Sequence, residues 1–97
     1  MFLNPALESA VKAASPDEEL EAVFTLAATP PQWPMPVAQL CQAVDDFIWA
    51  AQDSTGIHAK RVEIFPKTQT VIVTARPLLI QTLMDQGRGI VSVAGPA

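Results

Sequence analysis

The stretch Ala59-Lys60-Arg61-Val62-Glu63-Ile64-Phe65-Pro66-Lys67-Thr68-Gln69-Thr70-Val71-Ile72-Val73-Thr74 decides the fold. Its first half alternates. Val62 and Ile64 fall on one side, and Arg61, Glu63 and Phe65 fall on the other, the period-2 pattern of a strand with two unlike faces. Pro66 to Gln69 supplies a turn, and Thr70 to Thr74 is a second β-branched run, so the whole reads as a β-hairpin. A helical pattern precedes this hairpin and another follows it, which restricts the topologies open to the chain.

On the N-terminal side, Val37, Leu40, Cys41, Val44, Phe47, Ile48 and Ala51 recur at three- and four-residue steps, predicting a helix of about four turns that Gly56 ends. Ahead of it, Thr29 to Pro36 holds four of the nine prolines, a spacing that excludes both helix and ladder and predicts an extended loop. Before that loop, Glu21 to Ala28 reads as a strand, with Val23, Phe24, Thr25 and Leu26 supplying bulk. Asn4-Pro5 is a helix-start signal, and Ala6 to Ala14 continues it with Leu7, Ala10, Val11 and Ala14 on one stripe. Ser15-Pro16-Asp17-Glu18 predicts a single further turn. On the C-terminal side, Arg76-Pro77 opens a helix whose apolar face is Leu79, Ile80, Leu83 and Met84, with Gly87 and Gly89 stopping it. Ile90 to Val93 reads as a short last strand, and Ala94 to Ala97 as a tail.

After the N-terminal helix the order is therefore β-α-β-β-α-β. This predicts an α+β, ferredoxin-like arrangement: a four-stranded antiparallel sheet with both long helices on one face, joined by right-handed crossovers. The expected organisation is one domain over residues 1–97, with residues 1–20 as an N-terminal helical extension.

Composition narrows the function classes. A single cysteine and a single histidine allow no internal disulfide and no histidine-rich metal site within one chain. The expectation is a non-enzyme without metal or cofactor. The net charge of −4 argues against nucleic acid, and it is unevenly spread. Through Asp53 one lysine faces eight carboxylates, a net of −7; from Ser54 onward five cations face two carboxylates, a net of +3. Such asymmetry can steer a partner or favour self-association. The N-terminus lacks the basic region and apolar run of a signal peptide, no segment has the length of a membrane span, and the free cysteine suits a reducing compartment, so a cytoplasmic protein is expected.

Individual residues read modestly. Cys41 lies on the apolar stripe of the long helix, where a buried structural thiol is expected. Asp45 and Asp46 are adjacent, about 100° apart on a helix, so they diverge and read as a solvated face. His58 reads as a surface loop residue. Trp49 lies off the main stripe; packing at the rim of the core is expected, with an exposed partner anchor as the alternative. Trp33 in the proline-rich loop is expected to fold onto the core. A nucleic-acid platform would need aromatic rings on the central strands; across the second and third strands of the predicted order Phe65 is the only ring.

Two stretches carry a family resemblance. The first runs from Asn4-Pro5-Ala6-Leu7 through Ser15-Pro16-Asp17-Glu18-Glu19-Leu20 to Glu21-Ala22-Val23-Phe24-Thr25-Leu26. The second is Val71-Ile72-Val73-Thr74-Ala75-Arg76-Pro77, followed by Leu79, Ile80, Leu83 and Gly89-Ile90-Val91-Ser92-Val93. Together they resemble the propeptide domains of subtilisin-like serine proteases and their stand-alone inhibitor relatives. The resemblance implies a protein that binds a subtilisin-like protease as inhibitor or trans-acting folding helper. It would dock by the open sheet face, with Glu63 and Phe65 among the outward hairpin side chains, and place Ala94, Gly95, Pro96 and Ala97 along the active-site cleft as an extended strand. Two departures accompany it: the tail beyond Val93 is expected to be short and holds Pro96, which lacks an N–H, and no protease domain is expected behind it. The alternative expectation is a non-catalytic interaction module that self-associates, or docks to an unrelated protein, through its open sheet face or edge strand.

Overall fold

The computed structural model describes residues 2–26, 36–87 and 91–96. The elements are β1 (Phe2–Leu3), α1 (Pro5–Ala13), β2 (Leu20–Leu26), α2 (Val37–Thr55), β3 (Arg61–Phe65), a 3₁₀ turn (Pro66–Thr68), β4 (Thr70–Ala75), α3 (Pro77–Gln86) and β5 (Val91–Pro96). The chain is α+β, with three α-helices among the described residues and a four-strand antiparallel sheet in the order β5-β2-β4-β3. The hairpin β3–β4 forms as its alternation predicts. Residues 27–35, which include Trp33 and most of the proline-rich loop, lie outside the described residues, as does Ala97.

The caps behave as local chemistry requires. Asn4 accepts a hydrogen bond from the Ala6 amide at 2.9 Å, with Pro5 in the first helical position, which satisfies an otherwise unpaired donor. Gly56 closes α2 in the left-handed region at φ 71° and donates its N–H to the Gln52 carbonyl. α2 runs 19 residues, more than five turns, longer than its apolar stripe suggested.

The register sorts the sheet into two faces. Leu20, Ala22 and Phe24 pair with Ala75, Val73 and Val71, and Val62 and Ile64 of β3 share that side. On this side the strands join Leu7 and Val11 of α1, Leu40, Val44, Phe47, Ile48 and Ala51 of α2, and Leu79, Ile80, Leu83 and Met84 of α3 in one core cluster. The rings of Phe24 and Phe47 meet edge to face with centroids 5.7 Å apart, a favoured aromatic geometry.

Several expectations need correction. The last strand does not stop at Val93. Ala94, Gly95 and Pro96 belong to β5 and pair with Phe24, Val23 and Ala22, and Ala94 is fully buried. The physical reason is the length of β2, whose seven residues offer a second edge that a strand ending at Val93 would leave open from Phe24 to Ala22. A fifth, parallel strand was also missed: Phe2 and Leu3 pair with Val93 and Ala94, and the Asn4 amide donates to the Ala94 carbonyl at 2.8 Å. Ala94 is thus held from both sides, and Gly95 and Pro96 by β2. Val37 is exposed, because the first turn of α2 is exposed throughout and burial begins at Leu40; Cys41, on the flank of the stripe, is only half-buried.

Gln69 is the one irregular residue of the hairpin. It takes a left-handed conformation, φ 52° and ψ 41°, after the 3₁₀ turn, and it is 3% exposed with neither side-chain amide atom hydrogen-bonded. An unpaired buried amide costs about 1–3 kcal/mol. Gln69→Met, which keeps the length and removes the polar atoms, is therefore expected to raise the free energy of unfolding by about 1 kcal/mol. Urea unfolding checks this: the midpoint should rise at unchanged slope, and a fall would mean that the amide has a partner.

Candidate functional site

Two surfaces stand out once the layers are assembled. The first is the sheet face turned away from the helices. It carries Glu21, Val23 and Thr25 from β2, Thr70, Ile72 and Thr74 from β4, and Arg61, Glu63 and Phe65 from β3, as the register requires. No described element covers it. At its middle Val23 lies opposite Ile72, both half-buried, and at its edge Phe65 is exposed. Around this apolar centre Thr25 and Thr70 place their hydroxyls 3.4 Å apart, and Arg61 Nε meets Glu63 Oε1 at 2.6 Å. Glu63 and Phe65 are thus brought together on one accessible face, whereas Ala94 is withdrawn into the core on the other.

The second surface was not anticipated. Along the edge strand β3, on the helical side of the sheet, runs a shallow cleft of about 460 Å³. Asp45, Asp46, Ile48, Trp49 and Gln52 of α2 line one wall and Val62 of β3 the other. It is continued by a hollow of about 280 Å³ that shares Trp49 and Gln52 and adds Asp53, Gly56 and His58. Trp49 is 65% exposed, which corrects the expectation of packing at the rim. Nine residues at 100° each carry it about 180° from Leu40, the far side of the helix from the core.

Gln52 builds this cleft as well as lining it. Its Oε1 accepts from the Ala59 amide at 2.9 Å, and Thr55 Oγ1 accepts from Ile57 N at 3.2 Å while donating to the Ala51 carbonyl. These bonds tie the chain leaving α2 back onto the helix and so set where β3 begins. The cleft is also electrically one-sided. Asp45, Asp46 and Asp53 are exposed, and among the described residues no lysine or arginine pairs with them. The nearby cations are engaged elsewhere, Lys60 with Glu19 at 3.0 Å and Arg61 with Glu63.

No family model matches the chain, and no curated protein or solved structure shows significant similarity to it. The reading of either surface rests on its own geometry. Among the described residues, no group of three or more His, Cys, Asp or Glu side chains is arranged to hold a metal ion, and no helix is long and apolar enough to cross a membrane. His58 is exposed before β3, in the hollow beside Asp53. The exposure of Trp49 had one signal in the sequence, its angular distance from the stripe; the approach of Val62 had none, because it depends on where α2 lies over the sheet.

Proposed function

We propose that this chain is a non-catalytic protein-binding module of ferredoxin-like architecture that presents its open sheet face to a partner. The first partner to consider is a subtilisin-like protease, which the sequence resemblance names. The strand order β5-β2-β4-β3, with α2 and α3 as the two crossovers, supports the ferredoxin-like reading. That architecture serves many functions, so the site carries the argument. One observation carries it: the three described helices join the core on one side of the sheet, and no described element covers the half-buried Val23–Ile72 pair or the exposed Phe65 on the other. An apolar centre with a polar rim is the arrangement of a protein interface. Because Ala94, Gly95 and Pro96 are held in β5, face-to-face docking supports the reading better than insertion of those residues into a cleft.

Titration calorimetry against a panel of subtilisin-like proteases, run beside hydrolysis of a chromogenic peptide, tests this. A saturable complex is expected. Ile72→Glu and Phe65→Glu should each weaken it by about tenfold or more, the effect of losing an interface anchor, with little change in the chain's own thermal stability. Complex formation without loss of hydrolysis would identify docking by the face alone. No complex with any member of the panel removes the protease as partner, and a complex indifferent to both substitutions removes the open face.

A further inference from the structure

The second surface supports a proposal that does not depend on the first. We propose that the cleft between α2 and β3 binds an extended, cationic peptide segment, which adds to β3 as a further strand. An apolar side chain of that segment would lie against Trp49 and Val62, and basic side chains would face Asp45 and Asp46.

Three observations converge on this occupant. First, β3 is the outermost strand on its side and pairs only with β4 among the described residues. A strand in that position presents unpaired N–H and C=O groups to any chain that lies alongside, the chemistry of strand addition. Second, the helix-side wall beside that edge is apolar where a strand's side chain would point: Ile48 at the base, Val62 40% exposed and Trp49 65% exposed. A tryptophan so placed offers a large rigid contact, and alternate residues of an added strand would point to the same wall. Third, the rim is acidic and unneutralised. Asp45 and Asp46 line the cleft, Asp53 continues it, and no described cation pairs with any of them. Opposite charge on the incoming segment would raise its encounter rate and fix its register.

The same charges decide against a second copy of this chain. Edge-to-edge pairing of two β3 strands centred on Val62 would set Arg61 against Glu63 favourably on the open face. It would also turn the two α2 helices toward each other with Asp45 and Asp46 on both sides, a like-charge juxtaposition that disfavours the dimer. A cationic segment meets no such penalty.

The test uses the full ¹⁵N-labelled chain and synthetic, end-blocked peptides of about eight residues, a typical strand length, with threonine at every second position and lysine and valine in turn at the others, so that both face the same wall. Saturable shifts are expected in the Val62, Glu63 and Ile64 amides and the Trp49 indole. Trp49→Ala and the double variant Asp45→Asn/Asp46→Asn should each weaken binding by about tenfold or more; all three positions are exposed, so the fold should survive. Raising ionic strength from about 0.01 M to about 0.15 M should also weaken it several-fold, because screening shortens from about 30 Å to about 8 Å. A peptide N-methylated at alternate positions along its pairing edge should lose binding, and Ile72→Glu on the opposite face should leave it unchanged. The proposal is overturned by absence of shifts at millimolar peptide or by equal binding of the same peptide with glutamate in place of each lysine. Undiminished binding of the N-methylated peptide overturns it too, as do concentration-dependent shifts at β3 without peptide, which would identify a second copy as the occupant.

Discussion

Phe24→Ala is expected to destabilise the chain by about 3–5 kcal/mol, the usual cost of truncating a buried phenylalanine. Phe24 is fully buried at the centre of β2, paired with Val71 on one side and Ala94 on the other. Its ring also meets Phe47 of α2 edge to face. The truncation therefore removes a contact that joins sheet to helix as well as apolar area, and the surrounding strands are too tightly registered to collapse into the void. Domains of this size hold about 5–15 kcal/mol in total, so the loss is a large share of the whole. At about 4–8 °C per kcal/mol, the melting temperature should fall by more than roughly 12 °C, measurable by circular dichroism. Phe24→Leu, which keeps most of the volume, should cost only about 1–2 kcal/mol and gives a foldable comparison. A loss below about 1 kcal/mol for the alanine variant would show that Phe24 is not the centre of this core.

Ala94→Asp should be comparably severe and is more discriminating. Were residues 94–97 a free tail, a carboxylate there would meet water and change stability by no more than about 0.5 kcal/mol. In the sheet, Ala94 is fully buried between β2 and β1, opposite Phe24, with its carbonyl engaged by the Asn4 amide. A carboxylate placed there lacks room and water, and burial of an unpaired charge costs several kcal/mol. The expected result is a chain that is largely unfolded at 25 °C. Ala94→Ser, which buries only a hydroxyl, should lose about 1–3 kcal/mol and remain measurable by urea unfolding. If both variants melt within a degree or two of the parent, β5 ends at Val93 and the strand pairing of the last residues is wrong.

Much of the fold was legible because its signals are local. The alternation around Val62 and Ile64, the three-and-four spacing from Leu40 to Ala51, the Asn4-Pro5 start and the Gly56 stop each depend on residues within a few positions of one another. All four residues of the predicted α3 stripe, Leu79, Ile80, Leu83 and Met84, are buried, and Pro77 in its first turn joins them. What escaped the sequence is non-local. Phe2-Leu3 is too short to show any period, and it becomes a strand only because β5 lies alongside it. Ala94-Gly95-Pro96 has the composition of a tail, and it is drawn into the sheet by the free edge of β2.

The candidate surfaces divide in the same way. Which side chains share the open face follows from period 2 once the hairpin is recognised, so Glu63 and Phe65 could be placed together from sequence. The cleft beside β3 could not. Asp45 and Asp46 read correctly as a solvated face, and Trp49 as lying off the stripe, but neither reading brings them near Val62. That approach depends on the line α2 takes across the sheet, set by Phe47 against Phe24 and by the Gln52 bond to the Ala59 amide.

By itself, then, the sequence determined the order of the three helices and the four antiparallel strands, because periodicity and capping are short-range chemistry. It also determined the acidic character of the front half. Only the tertiary structure decided that residues 91–96 form a strand of the sheet, that a fifth strand clasps it at Val93 and Ala94, and that an acidic helix, paired with no described cation, borders the outer edge of β3. Those outcomes depend on hydrogen-bonding edges and charges contributed by segments far apart in the chain, which no local pattern encodes.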